Sequence, residues 1–302
     1  MERPHAGRRS WLGIAALVAC AALWSLNGPL IKLLHEAGAT GISIAFYRSL
    51  FGVLIFVPLG WRGWGGLRTV RIGWPVGSVL AFTVMTLAFV VATTRTAAAN
   101  AIILQYTSPV WVFLLSPLLL GERPHRTDAL MLLLAMAGVG IIFLGHRTGD
   151  VPALVIGLVA GLGYGALTVA LRGLRKVSPS TVVALNTVGS AALLVPVVLL
   201  WATFALTRHQ LMLLVLLSVV QFALPYLLFS WALQIVEAPR AALIVLLEAV
   251  LNPLQTYLIV GERVPTATLA GGPLILLGVA GGLWLQWRRR RAAAGLVSSG
   301  GA

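Results

Sequence analysis

The chain has 302 residues, of which 59% are hydrophobic and only 10% are charged. A soluble domain carries about 25% charged residues, so this chain lacks the charge to cover a water-facing surface. The formal net charge is +14, but the Lys and Arg residues lie at the ends of long apolar segments. That pattern is typical of membrane topology and argues against nucleic-acid binding. Cys20 is the single cysteine, which excludes an intrachain disulfide.

Charge-poor apolar segments follow one another along the whole chain, and each reaches or approaches the roughly 20 residues that a helix needs to cross a bilayer. The apolar run of the first segment continues past Cys20 to Ile31, which favours a spanning helix over a cleaved signal peptide. The sequence therefore predicts an all-α membrane protein with ten transmembrane helices. The predicted spans are Trp11–Leu33, Gly41–Gly60, Ile72–Thr94, Ala97–Leu120, Ala129–Gly145, Val151–Leu171, Pro179–Thr207, Leu211–Val236, Pro239–Val260 and Thr266–Trp287.

The distribution of basic residues predicts the orientation. With a cytoplasmic N-terminus, sixteen Lys and Arg residues fall on the cytoplasmic side and five on the other, with Arg48 inside span two. Cytoplasmic loops of membrane proteins carry an excess of Lys and Arg. We therefore expect both termini to be cytoplasmic, as short tails at residues 1–10 and 288–302.

An internal repeat relates the two halves of the chain. Gly121-Glu122-Arg123 recurs 140 residues later as Gly261-Glu262-Arg263, and at this offset eleven of forty-nine positions from residue 97 to 145 are identical. The repeats are residues 11–145 and 151–287, with five spans each. Because five is odd, the second copy enters the membrane from the opposite side, and such inverted repeats are characteristic of secondary transporters.

These features resemble the EamA branch of the drug/metabolite transporter superfamily, from about Trp11 to Trp287. The resemblance rests on the two five-helix halves, on a fourth helix that ends in Gly-Glu, and on Pro109 thirteen residues before Glu122. Trp24 and the Phe46-Tyr47-Arg48 stretch also fit the family. The chain departs from it at Glu248-Ala249, where the family has Glu-Pro, so the bend of span nine stays open.

The resemblance implies a permease of the bacterial-type cytoplasmic (inner) membrane and not an enzyme. It also implies export of amino acids, aromatic or other, or of related small metabolites by alternating access. We expect no cofactor, no metal and no nucleic acid. The partners are the small-molecule substrate and the lipid bilayer, and the protein is a monomer or a homodimer.

Two charged residues, Arg48 and Glu248, lie away from the ends of the predicted spans, where each costs roughly 2.5–3.5 kcal/mol and usually marks a substrate path or a partner. Glu248 is near mid-depth of span nine, and we expect it to line the substrate path. The alternative is a structural partner for Arg48 or for backbone freed by Pro253. Arg48 either snorkels or forms an ion pair, or it contacts a substrate carboxylate.

The candidate substrate-binding residues are polar or aromatic side chains on predicted helix faces near mid-depth. Trp24 and Tyr164 are repeat equivalents, so we expect both to face one central space, although aromatic residues in membrane helices often only pack. The full set is Trp24, Asn27, Gln105, Ser108, Tyr164, Tyr226, Ser230, Glu248 and Asn252.

Three further features have structural interpretations. Gly28-Pro29 is a predicted bend of the first span. Glu122 and Glu262 are expected to cap or orient the helix that follows each of them. The small-residue series Gly157, Gly161 and Gly165 is expected to allow close helix packing.

A carboxylate, amides and aromatic faces suit a small molecule that bears an amine, so the alternative within this fold is an exporter of cationic drugs or other metabolites. A nucleotide-sugar would need several cations for its phosphates, and Arg48 alone is present. A lipid-modifying membrane enzyme would need clustered titratable residues, whereas the five histidines are scattered. A channel is the third alternative. The sequence does not decide between proton-coupled exchange and facilitated flow down a gradient.

Overall fold

The computed structural model describes residues 4–121, 126–145, 151–202, 204–232, 236 and 244–299. Within these ranges the chain is helical and contains no strand. The helices are α1 (Pro4–Trp24), α2 (Asn27–Glu36), α3 (Gly41–Gly60), α4 (Gly73–Arg95), α5 (Ala98–Gln105), α6 (Ser108–Leu120), α7 (Arg126–Leu144), α8 (Val151–Gly173), α9 (Pro179–Trp201), α10 (Arg208–Leu216), α11 (Leu224–Ala232), α12 (Leu247–Val260) and α13 (Thr266–Ser299). A 3₁₀ helix at Trp61–Thr69 follows α3, and a π-helical segment at Leu217–Ala223 joins α10 to α11.

Seven helical segments of the described residues are long and apolar enough to cross a membrane. They lie in predicted spans one to four and six to eight, and α3 coincides with its predicted span at both ends. Shorter apolar helices at Leu133–Leu144 and Thr266–Gly282 lie in spans five and ten. Of predicted span nine, the structure describes residues 244–260, which are helical except at Leu246. The chain is therefore a multi-pass helical membrane protein.

The second half repeats the backbone features of the first half. α6 and α12 both end at a glycine with a left-handed backbone, Gly121 at φ 68° and Gly261 at φ 71°. Span four is interrupted at Tyr106-Thr107, and the helix of span nine is interrupted at Leu246, which is 140 residues after Tyr106. The two copies therefore share their helix ends and their interruptions as well as their sequence.

Helices from the two halves pack against each other in pairs. The most extensive contacts join α3 to α9, α4 to α8 and α7 to α13. In the last of these pairs the backbones meet at Gly138 and Gly271, where a Cβ on Gly138 would lie 2.4 Å from the Gly271 carbonyl oxygen. Small residues at such contacts let membrane helices approach closely.

The two ends of the bundle are packed differently. One end, here the Lys32 end, includes the last residues of α2, α4 and α12, and the other, the Gly60 end, includes the last residues of α3, α6 and α8. A single large apolar cluster occupies the half of the bundle toward the Lys32 end, and its members include Leu30, Ile44, Phe89, Leu104, Ile142, Leu154, Leu194, Leu214 and Ile275. Toward the Gly60 end, the described residues form three separate clusters, centred on Phe56 and Phe222, on Leu17 and Val245, and on Leu174 and Val182. In the described part of the chain, the core is therefore continuous at the Lys32 end and divided at the Gly60 end.

Candidate functional site

The first span is interrupted between α1 and α2, at Ser25 and Leu26. Three side-chain amides donate to carbonyl oxygens at this interruption: Gln221 Nε2 to Trp24 O at 3.3 Å, Asn252 Nδ2 to Ser25 O at 3.1 Å, and Gln255 Nε2 to Ala22 O at 3.2 Å. Backbone groups freed inside a membrane must find partners in the protein. The amides on two other helices therefore stabilise the interruption of the first span.

Gly28 and Pro29, the predicted bend, lie inside α2 and not at the interruption. Gly28 instead provides room for a neighbouring helix, because a Cβ at this position would lie 2.6 Å from Thr256 Oγ1 and 2.7 Å from Asn252 Oδ1. The break occurs two residues earlier, where the amide donors are available.

The interruption of the fourth span places a tyrosine beside the intramembrane carboxylate. Tyr106 lies between α5 and α6 in sequence, and its hydroxyl donates to Glu248 Oε2 at 3.0 Å. Glu248 belongs to the first turn of α12, directly after the interruption at Leu246. The two symmetry-related breaks therefore meet, and the Tyr106–Glu248 hydrogen bond joins them across the two repeats.

Glu248 is half-buried, so part of its surface is accessible. Tyr164 has 37% of its surface exposed and lies close enough to Glu248 to interact with its charge. An aromatic hydroxyl of the second half therefore lies near the intramembrane carboxylate, and both keep accessible surface.

Arg48 lies in the same region and is also half-buried. Its guanidinium carbon is 5.1 Å from the centroid of the Phe222 ring, within the range of a cation–π interaction. Arg48 and Glu248 are close enough for their charges to attract each other, but the described residues contain no direct ion pair between them. The basic and acidic groups of the site are therefore separate from each other.

An aromatic group extends from Arg48 toward the Gly60 end. The Phe222 ring centroid is 5.5 Å from that of Phe56 and 6.5 Å from that of Phe82, and Phe56 lies 5.6 Å from Tyr226. Trp24 forms a second aromatic contact, 5.4 Å from Phe229. Phe56, Phe82 and Phe222 are buried in a core cluster, whereas Trp24, Tyr226 and Phe229 keep part of their surface accessible.

Several buried polar atoms near the interruption of the first span have no hydrogen-bond partner within the described residues. They are Asn27 Oδ1, Asn252 Oδ1, Gln255 Oε1, Gln221 Oε1 and the Ser218 hydroxyl. Most of them are amide oxygens of the side chains whose nitrogens donate to the interruption.

Helix α8 approaches the interruption of the fourth span closely. A Cβ at Gly161 would lie 2.7 Å from the Leu104 carbonyl oxygen, and a Cβ at Gly165 would lie 2.8 Å from that of Ser108. Gly157 packs on Leu104 in the same way. The predicted packing role of this glycine series is confirmed.

Most of the predicted site residues lie around these interruptions. Gln105 ends α5 and is half-buried, while Ser108 begins α6 and is buried. Tyr226 is half-buried in α11. The Ser230 side chain lies outside the described residues.

Two residues that contact the site were not among the sequence candidates. Tyr106 lies between the predicted Gln105 and Ser108, in a polar run inside an apolar span that could have revealed it. Gln221 lies in the π-helical segment, and its isolated position in the sequence gives no such signal. Segments of this kind frequently occur at functional sites.

The role predicted for Glu262 was wrong. Its carboxylate accepts a hydrogen bond from the backbone N–H of Ala98, the first residue of α5, and does not cap the helix that follows it in sequence. The corresponding Glu122 lies outside the described residues. The described part of the chain contains no group of three or more His, Cys, Asp or Glu side chains that could hold a metal ion.

Comparisons with known proteins agree with this architecture. The EamA-like transporter family matches residues 11–144 and 151–283, one match for each repeat. An uncharacterized transporter from Archaeoglobus fulgidus is 31% identical over 279 residues, which cover 91% of this chain and 96% of that protein. A second uncharacterized transporter from the same organism is 25% identical over 180 residues, 57% of this chain and 63% of that protein.

A solved structure described as "Crystal structure of protein" superposes with a TM-score of 0.60 and 19% sequence identity, over 94% of this chain and 99% of that one. At this identity the likeness concerns the fold alone. The two matched repeats, together with the full-length relative, establish that this chain belongs to the EamA-like transporter family.

Proposed function

We propose that this transporter is a secondary exporter of amino acids and related small metabolites, working by alternating access in a bacterial-type cytoplasmic membrane. Its ten spans form two inverted repeats with both termini in the cytoplasm. The substrate site lies between the halves, around Glu248.

The separation of the two intramembrane charges carries the proposal. Glu248 is held by Tyr106, and Arg48 lies over the Phe222 ring with no direct ion pair to Glu248. An ammonium group binds at Glu248, while a carboxylate binds at Arg48. A zwitterion satisfies both poles at once, whereas a simple cation leaves Arg48 uncompensated.

The partly accessible aromatic side chains Trp24, Tyr164 and Tyr226 supply the surface for the substrate side chain. Apolar rings next to a pair of charged groups favour an amino acid with an apolar or aromatic side chain over a polar one.

Transport in proteoliposomes tests this proposal. The purified chain is reconstituted, and uptake of labelled amino acids is competed with three matched analogues: the amino acid, its decarboxylated amine and its deaminated acid. We expect the intact amino acid to compete at least about tenfold better than either analogue, because each analogue leaves one buried charge unpaired.

Equal competition by the amine would identify a transporter of cations, the alternative in this fold. Saturable flux of neither amino acids nor amines would contradict the proposal. A continuous unitary current in a planar bilayer would instead indicate a channel.

A further inference from the structure

A polar cluster ties three helices together at the Lys32 end. Glu262 Oε2 lies 2.6 Å from Lys32 Nζ, and Glu262 Oε1 accepts the Ala98 N–H at 2.7 Å. Lys32 Nζ also donates to the Thr96 carbonyl oxygen at 2.8 Å. One carboxylate therefore joins α2, the start of α5 and the segment that follows α12.

This ion pair is better shielded than an ordinary surface pair. The side chains of Lys32 and Glu262 are only 16% and 23% exposed. Charges that are partly removed from water are screened less by salt, and a carboxylate at the N-terminus of a helix is stabilised by the helix dipole. Glu262 gains from both interactions, so the contact contributes more than a typical exposed ion pair.

The helices joined by this cluster also carry the site. Helix α2 begins at Asn27, α5 ends at Gln105 beside Tyr106, and α12 carries Glu248 and Asn252. At mid-depth they are joined again, by the hydrogen bonds from Tyr106 to Glu248 and from Asn252 to Ser25. The α5 helix has eight residues and is about 12 Å long. It is therefore held at its first residue by Glu262 and just beyond its last residue by the Tyr106–Glu248 hydrogen bond, and together with α2 and α12 it forms one short unit.

The helices of this unit are buried in the core at the Lys32 end. Ala98 to Leu104 are all buried, and Leu30, Ile31 and Leu34 of α2 belong to the continuous core. Among the described residues, the apolar clusters at the Gly60 end are separate from one another. Buried, continuously packed residues therefore lie between Tyr106 and the Lys32 end.

We propose that Lys32 and Glu262 form a latch that holds the Lys32 end closed, and that breaking this ion pair opens the site to that end. Release of Glu262 frees α2 and α5 from α12. The helices α2 and α5 lie between the site and the Lys32 end. This inference rests on the proposed alternating-access function, but the latch itself is tested without substrate.

The sequence repeats the same pair of charges in the other half. At the offset of 140 residues, Arg172 corresponds to Lys32 and Glu122 corresponds to Glu262. Glu122 lies outside the described residues. The repeated cation and glutamate support a role in the transport cycle, because a purely local staple would have no reason to recur in the inverted copy.

Accessibility of a reporter cysteine tests the latch. In a Cys20→Ala background, Gln105→Cys places a thiol at the end of α5, and a membrane-impermeant thiol reagent is applied separately to each face of the membrane. Glu262→Gln removes the charge but keeps an oxygen that can accept the Ala98 N–H, and Lys32→Met removes the cation.

We expect both latch variants to react about tenfold faster from the face that carries Lys32, since a latch lowers the open fraction by roughly that factor. Lys32→Arg keeps the ion pair and should react like the parent. Glu36→Gln and Arg263→Met remove exposed charges at the same end, so neither should change the rate.

Equal rates in the parent and in both latch variants would overturn the proposal. It would also be overturned if the control variants raised the rate as much, or if the latch variants lost thermal stability with no change in labelling from either face. Labelling needs no substrate, so it tests the latch even if the protein does not transport amino acids. Conversely, a positive labelling result would not support the substrate assignment.

Discussion

Spans four and nine occupy equivalent positions in the two repeats. Their backbones share the same features, whereas their side chains differ. Both are interrupted, at Tyr106-Thr107 and at Leu246, and both end at a left-handed glycine. Their side chains differ after the interruption. The first copy has Ser108 and Val112 where the second has Glu248 and Asn252.

The other helix pairs show the same division. Span one is interrupted at Ser25-Leu26, whereas α8 of the second half is continuous and packs closely through its glycines. Span two contains Arg48, while Pro179–Trp201 contains no charged residue. The two repeats therefore share a backbone frame, while the polar and charged side chains differ between them.

The largest expected effect comes from the position where the two repeats differ most, Glu248 in the second half and Ser108 in the first. Glu248→Gln should lower transport of amine-bearing substrates by about 10- to 100-fold, because it removes a charge-assisted hydrogen bond of roughly 1.5–3 kcal/mol. The repeat-equivalent Ser108→Ala should lower transport by no more than about tenfold, since it removes one neutral hydroxyl. Initial rates in proteoliposomes measure both.

The amide variant retains the shape of the side chain, so detergent melting curves should show a folded protein. If Glu248 also carries protons, Glu248→Gln should abolish uphill exchange while leaving substrate counterflow. Retained uphill transport in this variant would reject a coupling role. Parental transport rates for it would reject the site itself.

Arg48→Met tests the second charge. We expect the apparent affinity for amino acids to fall about tenfold, because a desolvated carboxylate loses its cation. Competition by the decarboxylated amine should change by less than about twofold, since this analogue has no group for Arg48. Competition assays with the two compounds in parallel measure the ratio, and equal losses for both would contradict a carboxylate contact.

Gly165→Ala tests the close packing of α8. The new Cβ would lie 2.5 Å from the Trp111 Cβ, so we expect a loss of about 1–3 kcal/mol in stability through overpacking. Gly140→Ala is the matched control in another helix, because a Cβ there meets nothing within 4 Å. Thermal melting in detergent should show a lower midpoint for Gly165→Ala alone. Equal midpoints would mean that the helix contact relaxes freely.

The smallest effect should be the same in both repeats. Gly121→Ala and Gly261→Ala each force a residue with a Cβ into a left-handed backbone, at a cost of roughly 1–2 kcal/mol. A Cβ at either position meets nothing within 4 Å, so the cost is confined to the backbone. Matching shifts of the melting midpoint are expected, and a clear difference between the two would weaken the structural equivalence of the repeats.

The sequence predicted the membrane class, the repeat and most helix ends because each depends on local chemistry. A helix must bury its backbone polar groups in about 20 apolar residues, and α3 begins and ends where its apolar segment does. Glu248, Asn252 and Gln105 were predicted as site candidates because they are polar residues in apolar spans, and the structure places them near the interruptions. The substrate and orientation stay predictions.

The contacts of the site could not be predicted in the same way. In a membrane, the lipid-facing and core-facing sides of a helix are both apolar, so periodicity does not reveal how the helix is rotated. The interruption at Ser25 depends on amides more than 190 residues away in sequence, and the partner of Glu262 lies 164 residues away.

The sequence by itself therefore determined that this protein is a multi-pass helical membrane protein built from two repeats, since the lipid imposes length and hydrophobicity on every spanning segment. Only the tertiary structure decided which interruptions meet, that Tyr106 donates to Glu248, and that Glu262 caps a helix of the other half. Hydrogen bonds and ion pairs are short-ranged, so their partners exist only after the helices have packed.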